Sequence, residues 1–298
     1  MCEKRDVAII GCGPAGISAA LQLKRSNIDF FLFEKEQVGG LIRNGNLIEN
    51  YPGFSEGIPG YILASHLEGH LMSAEIFPVM DEIKRIDFLN EKKCFLLEGK
   101  KGRYSSEYVI AASGTRPKIP EILENVDENI LPNIYFDIIK LRNIKGKRIL
   151  IIGAGDCAFD YSLSLSVRNN IVLANRGTKI RAIPPLKDKV LSGKNIRYKE
   201  KCSINKIGTG SKLPLKVSFS GEKGSEKSEF DLIVFAVGRS PEDGYLTKLP
   251  PVLREKVESR GNLILSGDIK NGSFRQAVIA AGNGVEAAMK IYRKIFGD

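Results

Sequence analysis

The stretch Val7-Ala8-Ile9-Ile10-Gly11-Cys12-Gly13-Pro14-Ala15-Gly16 sets G-x-G-x-x-G between an apolar run and a helical one. Few folds satisfy that order. A strand must turn tightly at Gly11, a phosphate must reach backbone at Gly13, and a helix must pack closely at Gly16. These are the demands of the first βα unit in a doubly wound, three-layer α/β dinucleotide-binding domain. Pro14 suits the first helical turn, where its missing N–H costs nothing, and Ala15 follows it. The free N–H groups there and the positive end of the helix dipole face a diphosphate. The next apolar run, Phe30-Phe31-Leu32-Phe33, ends in Glu34, an acceptor for ribose hydroxyls.

The pattern then repeats. Arg148-Ile149-Leu150-Ile151-Ile152 leads into Gly153-Ala154-Gly155-Asp156-Cys157-Ala158, with Ala158 in place of the third glycine. The following strand, residues 171–175, ends at Arg176, which follows Gly153 at the spacing by which Glu34 follows Gly11. The acid has become a base. A glutamate repels a 2′-phosphate and a guanidinium pairs with it, so the second site is expected to favour NADP over NAD, with Arg181 joining the clamp. Tyr108-Val109-Ile110-Ala111-Ala112-Ser113-Gly114 and Asp231-Leu232-Ile233-Val234-Phe235-Ala236-Val237-Gly238 read as the strand and turn that close each copy. Residues 82–97 predict a small antiparallel sheet, and residues 195–228 a hairpin with a mobile tip at 221–224.

With 298 residues, 43% hydrophobic and 27% charged, the chain supports two cores. Its net charge of +10 is scattered, with no basic stretch interleaved with aromatics, so it reads as anion steering and solubility and not as nucleic acid binding. Cys2, Cys12, Cys94, Cys157 and Cys202 are isolated, which suits a reducing compartment, and the cytoplasm is expected. No signal-peptide core or membrane span is expected. His66 and His70 share a face of a helix predicted over 61–74 and read as surface or packing residues, so no metal is expected.

The first glycine loop, the acid closing the second strand, Gly39-Gly40-Leu41 and Glu49-Asn50-Tyr51-Pro52-Gly53 resemble the FAD domain of the low-molecular-weight thioredoxin reductases, of the pyridine nucleotide-disulfide oxidoreductase type. The later motifs extend the resemblance over nearly the whole chain. It implies two Rossmann-like domains, with residues 1–116 and 240–298 holding FAD and residues 117–239 forming an inserted NAD(P)H domain. It places FAD against Gly11, Gly13, Pro14, Ala15, Gly16, Glu34, Lys35, Gly39, Gly40, Leu41, Asn50, Ala112, Ser113 and Gly114, with the backbone of Ile83 at the adenine. Gly267 and Asp268 would meet the ribityl chain. Arg275, Gln276 and Ala277 match an R-Q-A motif in a helix predicted to begin at Phe274, whose N-terminus would stabilise negative charge on the reduced flavin. NADP would lie on Gly153, Ala154, Gly155, Asp156, Cys157, Ala158, Arg176, Arg181, Val237 and Gly238. Asn175-Arg176-Gly177 departs from the H-R-R of NADPH-using members, which lowers the charge and leaves NADH use open. A homodimer is implied.

Thioredoxin reductases carry C-x-x-C shortly before the second glycine loop, where this chain reads Phe136-Asp137-Ile138-Ile139. Dithiol chemistry needs an attacking and a resolving sulfur, and no two cysteines here are neighbours. Cys12 and Cys157, on opposite loops, read as small buried apolar residues. Ile134-Tyr135-Phe136-Asp137, Lys145-Gly146-Lys147-Arg148 and the second loop with Phe159-Asp160 are similar to thioredoxin-reductase-like ferredoxin–NADP reductases, which also lack the pair. Against them stand the E-N-Y-P-G and R-Q-A motifs and the expected absence of a C-terminal extension over the flavin. The expectation is a flavoprotein oxidoreductase with no catalytic side chain, passing electrons from NAD(P)H through FAD directly to ferredoxin, flavodoxin, a disulfide or a small molecule. A ferredoxin/flavodoxin–NADP reductase is the alternative, and a non-catalytic FAD/NAD(P)-binding redox sensor is a third reading.

Overall fold

The computed structural model describes residues 3–221 and 224–297. Cys2, and Glu222 and Lys223 of the expected hairpin tip, lie outside the described residues. The chain divides into two compact units, one comprising Met1–Arg43, Leu47–Arg116 and Ser240–Asp298, the other Pro117–Arg239 with Asn44–Asn46.

Unit 1 opens with β1 (Glu3–Ile10), α1 (Pro14–Arg25), β2 (Phe30–Glu34), α2 (Gly60–Ser73), β3 (Val79–Met80), β4 (Ile83–Leu89), β5 (Cys94–Gly99), β6 (Arg103–Ala111) and β7 (Thr115–Pro117). Unit 2 follows with β8 (Ile134–Tyr135), β9 (Arg148–Ile152), α3 (Asp156–Ser166), β10 (Asn170–Ala174), α4 (Pro184–Leu191), β11 (Ile196–Lys199), β12 (Ser203–Thr209), β13 (Leu215–Gly221), β14 (Gly224–Phe230) and β15 (Leu232–Phe235). The chain returns through β16 (Arg239–Pro241) to α5 (Pro251–Ser259), β17 (Leu263–Leu265) and α6 (Ala277–Phe296). β7 and β16 pair with each other.

In unit 1 the sheet order is β3-β2-β1-β6-β5-β4, with β17 also on β6. β2, β1, β6 and β17 run parallel, which requires cover on both faces, and every residue of β2, the last four of β1 and the last three of β6 are buried. One face packs on α1 and α6 through Ile17, Leu23, Ala287 and Ile291. The other packs Phe31 and Phe33 on Ile86, Phe95 and Leu97 of the antiparallel β4-β5-β6 meander. Unit 2 repeats the plan with a parallel sheet in the order β11-β10-β9-β15-β8. Phe159, Leu165 and Val190 cover one face, and Val217, Phe219 and Phe230 of the antiparallel β12-β13-β14 sheet cover the other.

Three expectations change. The region read as one hairpin gives a parallel edge strand, β11, registered Ile171↔Ile196, and then three antiparallel strands; a short alternating run fits either kind of pairing. The last helix begins at Ala277, with Gln276 as its N-cap in extended conformation, and not at Phe274. Cys157, in the first turn of α3, is exposed, whereas Ala15 at the matching place in α1 is buried against Gly267 and Gly284; Cys12 and Cys94 are buried. Among the described residues no helix is long and apolar enough to cross a membrane.

Candidate functional site

In unit 1 the glycine loop lies at the carboxyl ends of β1, β2 and β6, where ligands of open α/β sheets bind. Gly11 has φ +103°, and a Cβ there would stand 2.5 Å from Ala112 O. At Gly16 a Cβ would stand 1.9 Å from Gly11 O, so the start of α1 touches the turn itself. Gly13 faces open space, with nothing within 4 Å of a Cβ position, and caps α1 without a side chain. The first-turn N–H groups, around Pro14, Ala15 and Gly16, are thus left for an anion.

Glu34, 8% exposed, accepts from Cys12 N–H at 2.9 Å and Glu36 N–H at 2.8 Å, which aims its carboxylate back at the loop. Burial, and then this carboxylate, push the Cys12 thiol well above its usual range, so it is no nucleophile. Gly39 N–H donates to Cys12 O at 2.7 Å, and a Cβ on Gly40 would lie 3.6 Å from Gly13 Cα, which brings the paired glycines beside the loop; Leu41 next to them is exposed. Gly267 packs on Ala15, and Asp268 follows it in the same turn. Asn50 Nδ2 donates to Gln276 Oε1 at 2.9 Å, joining the E-N-Y-P-G loop to the N-cap of α6 between half-buried Arg275 and Ala277. Ile83 lies in the core shared by Ile10 and Phe33, three residues after Met80, which is registered with Glu34.

Ser113 and Lys35 are placed differently from the rest. The Ser113 hydroxyl donates to Glu242 O at 2.6 Å and lies 3.0 Å from Tyr245 Oη, while Lys35 Nζ pairs with Glu242 at 3.6 Å. Both hold the returning chain beside Gly114, whose carbonyl accepts from Glu242 N–H at 3.0 Å. Around β17 and α6, Ser266 Oγ, Asn271 Nδ2 and Asn283 Oδ1 are buried without hydrogen-bond partners among the described residues. An open diphosphate cradle beside unsatisfied polar atoms fits a dinucleotide with a hydroxylated chain, as FAD is.

Unit 2 builds the same turn. A Cβ on Gly153 would stand 2.5 Å from Ala236 O, next to Val237 and Gly238, and Gly155 faces open space as the cap of α3. Ala158 is fully buried, and Ala154 is 6% exposed. Arg181 N–H donates to Ala154 O at 2.7 Å, and Asp156 Oδ1 accepts from Ile183 N–H at 2.9 Å, so residues 181–183 are fastened onto the glycine loop. Arg176 and Arg181 are both exposed, as an anion clamp requires. This cradle fits a second nucleotide. His66 is exposed with its ring 6.1 Å from Phe54, and no group of three ligating side chains is found among the described residues.

Sequence reasoning missed Asn175, which is buried and makes three side-chain hydrogen bonds, two within the loop that carries Arg176 and one to Tyr198 of β11. Its signal was N-R-G after an apolar strand, the pattern of an Asx turn. It also missed Tyr245 and Glu242, which no local motif marks.

The family model described as pyridine nucleotide-disulphide oxidoreductase matches residues 5–263. The thioredoxin reductase of Borreliella burgdorferi is 29% identical, over 96% of this chain and 90% of that protein. The thioredoxin reductase of Buchnera aphidicola is 27% identical, over 97% and 96%. In fold, the chain is similar to Lactococcus lactis thioredoxin reductase, with a TM-score of 0.84, 23% identity, and 98% and 99% of the two chains covered.

Proposed function

The chain belongs to the pyridine nucleotide-disulphide oxidoreductase family and is an FAD-dependent NAD(P)H oxidoreductase, and from that premise we propose a thioredoxin-reductase-like enzyme that hands electrons from FAD directly to an external acceptor. FAD belongs to unit 1 and NADPH to unit 2 in this reading. FAD, when bound, would supply the redox chemistry between NAD(P)H and the acceptor. The chain's own residues bind and orient. The first turn of α1 neutralises the diphosphate, Glu34 accepts from ribose, and the N–H groups at Gln276 and Ala277 offer donors where negative charge develops. Arg176 and Arg181 pair with the 2′-phosphate. Resemblance to the family, and isolated cysteines that suit a reducing compartment, support a cytoplasmic homodimer.

One observation supports a reading without an internal dithiol. In the segment that would hold it, Ile138 is 0% exposed and half-buried Phe136 stacks on Phe235 with centroids 5.9 Å apart. NADPH consumption tests the reading, with ferredoxin, flavodoxin, dichlorophenolindophenol and an aromatic disulfide as acceptors. Turnover is expected with at least one of them, and none is expected with thioredoxin unless thiols are added. Thioredoxin reduced without added thiol contradicts direct transfer, and bound flavin with no turnover at all selects the sensor reading.

A further inference from the structure

Asn175 lies just past β10 and is 5% exposed. Its backbone N–H donates to Lys199 O at 2.8 Å and its carbonyl accepts from Cys202 N–H at 2.9 Å, which fixes it to the neighbouring chain. Its side chain uses both ends. Oδ1 accepts from Gly177 N–H at 3.1 Å, closing a turn around Arg176, while Nδ2 donates to Tyr198 Oη at 2.9 Å and to Lys179 O at 3.3 Å. Reversing the amide would set its NH2 against Gly177 N–H and its oxygen against Lys179 O, so the whole pattern selects one orientation. The same loop is tied at its far end by Arg181 N–H on Ala154 O and Ile183 N–H on Asp156.

Arg176 and Arg181 therefore sit on a span held at both ends, and Asn175 is the side chain that holds the first. A neutral amide whose two N–H donors are already engaged by Tyr198 and Lys179 pairs with no phosphate itself. Guanidinium recognition of phosphate is directional, and a clamp that must be ordered on binding loses part of its affinity. From these contacts the structure assigns Asn175 as the positioning residue that sets the preference for a 2′-phosphorylated nucleotide, by fixing the turn from which Arg176 projects. The assignment rests on the proposed reading of unit 2 as the NADP site.

The test titrates 2′,5′-ADP and 5′-AMP calorimetrically into FAD-loaded wild type, Asn175→Ala and Tyr198→Phe. Wild type should bind 2′,5′-ADP more tightly than 5′-AMP. Asn175→Ala should weaken 2′,5′-ADP about tenfold, and 5′-AMP less than about twofold, the size expected when a preorganised contact must be ordered on binding. Tyr198→Phe keeps the ring beside Phe159 and removes only the hydroxyl, so it should weaken 2′,5′-ADP in the same sense by about threefold. It also carries the test if Asn175→Ala fails to fold. Equal losses for the two probes, or none in a folded variant, overturn the role of Asn175 alone. Wild type that binds the probes equally, or binds neither, overturns the reading of the site beneath it.

Discussion

The two glycine loops make the same turn and end in opposite charges. In unit 1 the second strand closes with Glu34, buried and engaged by two backbone N–H groups beside the loop. In unit 2 the matching position is Arg176, exposed, with the loop's internal hydrogen bonds passed back to Asn175. The third position differs as well, since Gly16 has the carbonyl of Gly11 where a side chain would be, whereas unit 2 carries Ala158. A buried acid with a tight helix suits a cofactor enclosed for the life of the protein. An exposed base on a tethered loop suits a nucleotide that comes and goes.

The largest expected effect breaks the equivalence of the third positions. Gly16→Ala drives a methyl into Gly11 O and should cost more than about 3 kcal/mol, with loss of bound flavin, whereas Ala158→Gly should cost about 1 kcal/mol. Melting temperature and flavin content of the two variants check this, and equal losses would remove the distinction. Glu34→Gln comes next. It replaces charge-assisted hydrogen bonds by neutral ones and should weaken FAD about tenfold to a hundredfold, read by flavin release on dilution. Arg176→Ala should raise the KM for NADPH about tenfold and that for NADH less than about twofold. Equal changes for both cofactors would remove the 2′-phosphate argument.

The smallest effect separates the units by pH. Glu229 accepts from the backbone N–H groups of Ser211, Lys212 and Leu213 and from the Ser211 hydroxyl, and these bonds hold its carboxyl down at about 2. A carboxyl lowered by folding stabilises above its ordinary value near 4.5 and loses that contribution as pH falls towards about 2. Glu229→Gln should therefore flatten the acid side of the unit 2 melting profile, with unit 1 unaltered. An unchanged profile would show that these bonds add nothing measurable.

Much of this plan was legible in the sequence because the constraints were local. Strand, glycine loop and helix follow one another within a dozen residues, so Gly11 to Gly16 and Gly153 to Ala158 announced both cradles. What escaped was assembled over distance. Tyr245 meets Ser113 across 132 residues, and Asn175 meets Tyr198 across 23. β11 looked like a hairpin strand because Ile196 and Tyr198 alternate with polar residues whichever edge they pair with. Cys157 was misplaced for a related reason, since a residue in the first helical turn is buried only where something distant packs over it, as Gly267 and Gly284 do over Ala15.

Anaerobic reductive titration of the flavin tests direct electron transfer most closely. Without an internal dithiol, the FAD absorbance of the purified protein should bleach fully with a single two-electron equivalent of dithionite per flavin, and NADPH should bleach the same band. A second equivalent consumed at the same protein sites would reveal a redox disulfide and contradict the account.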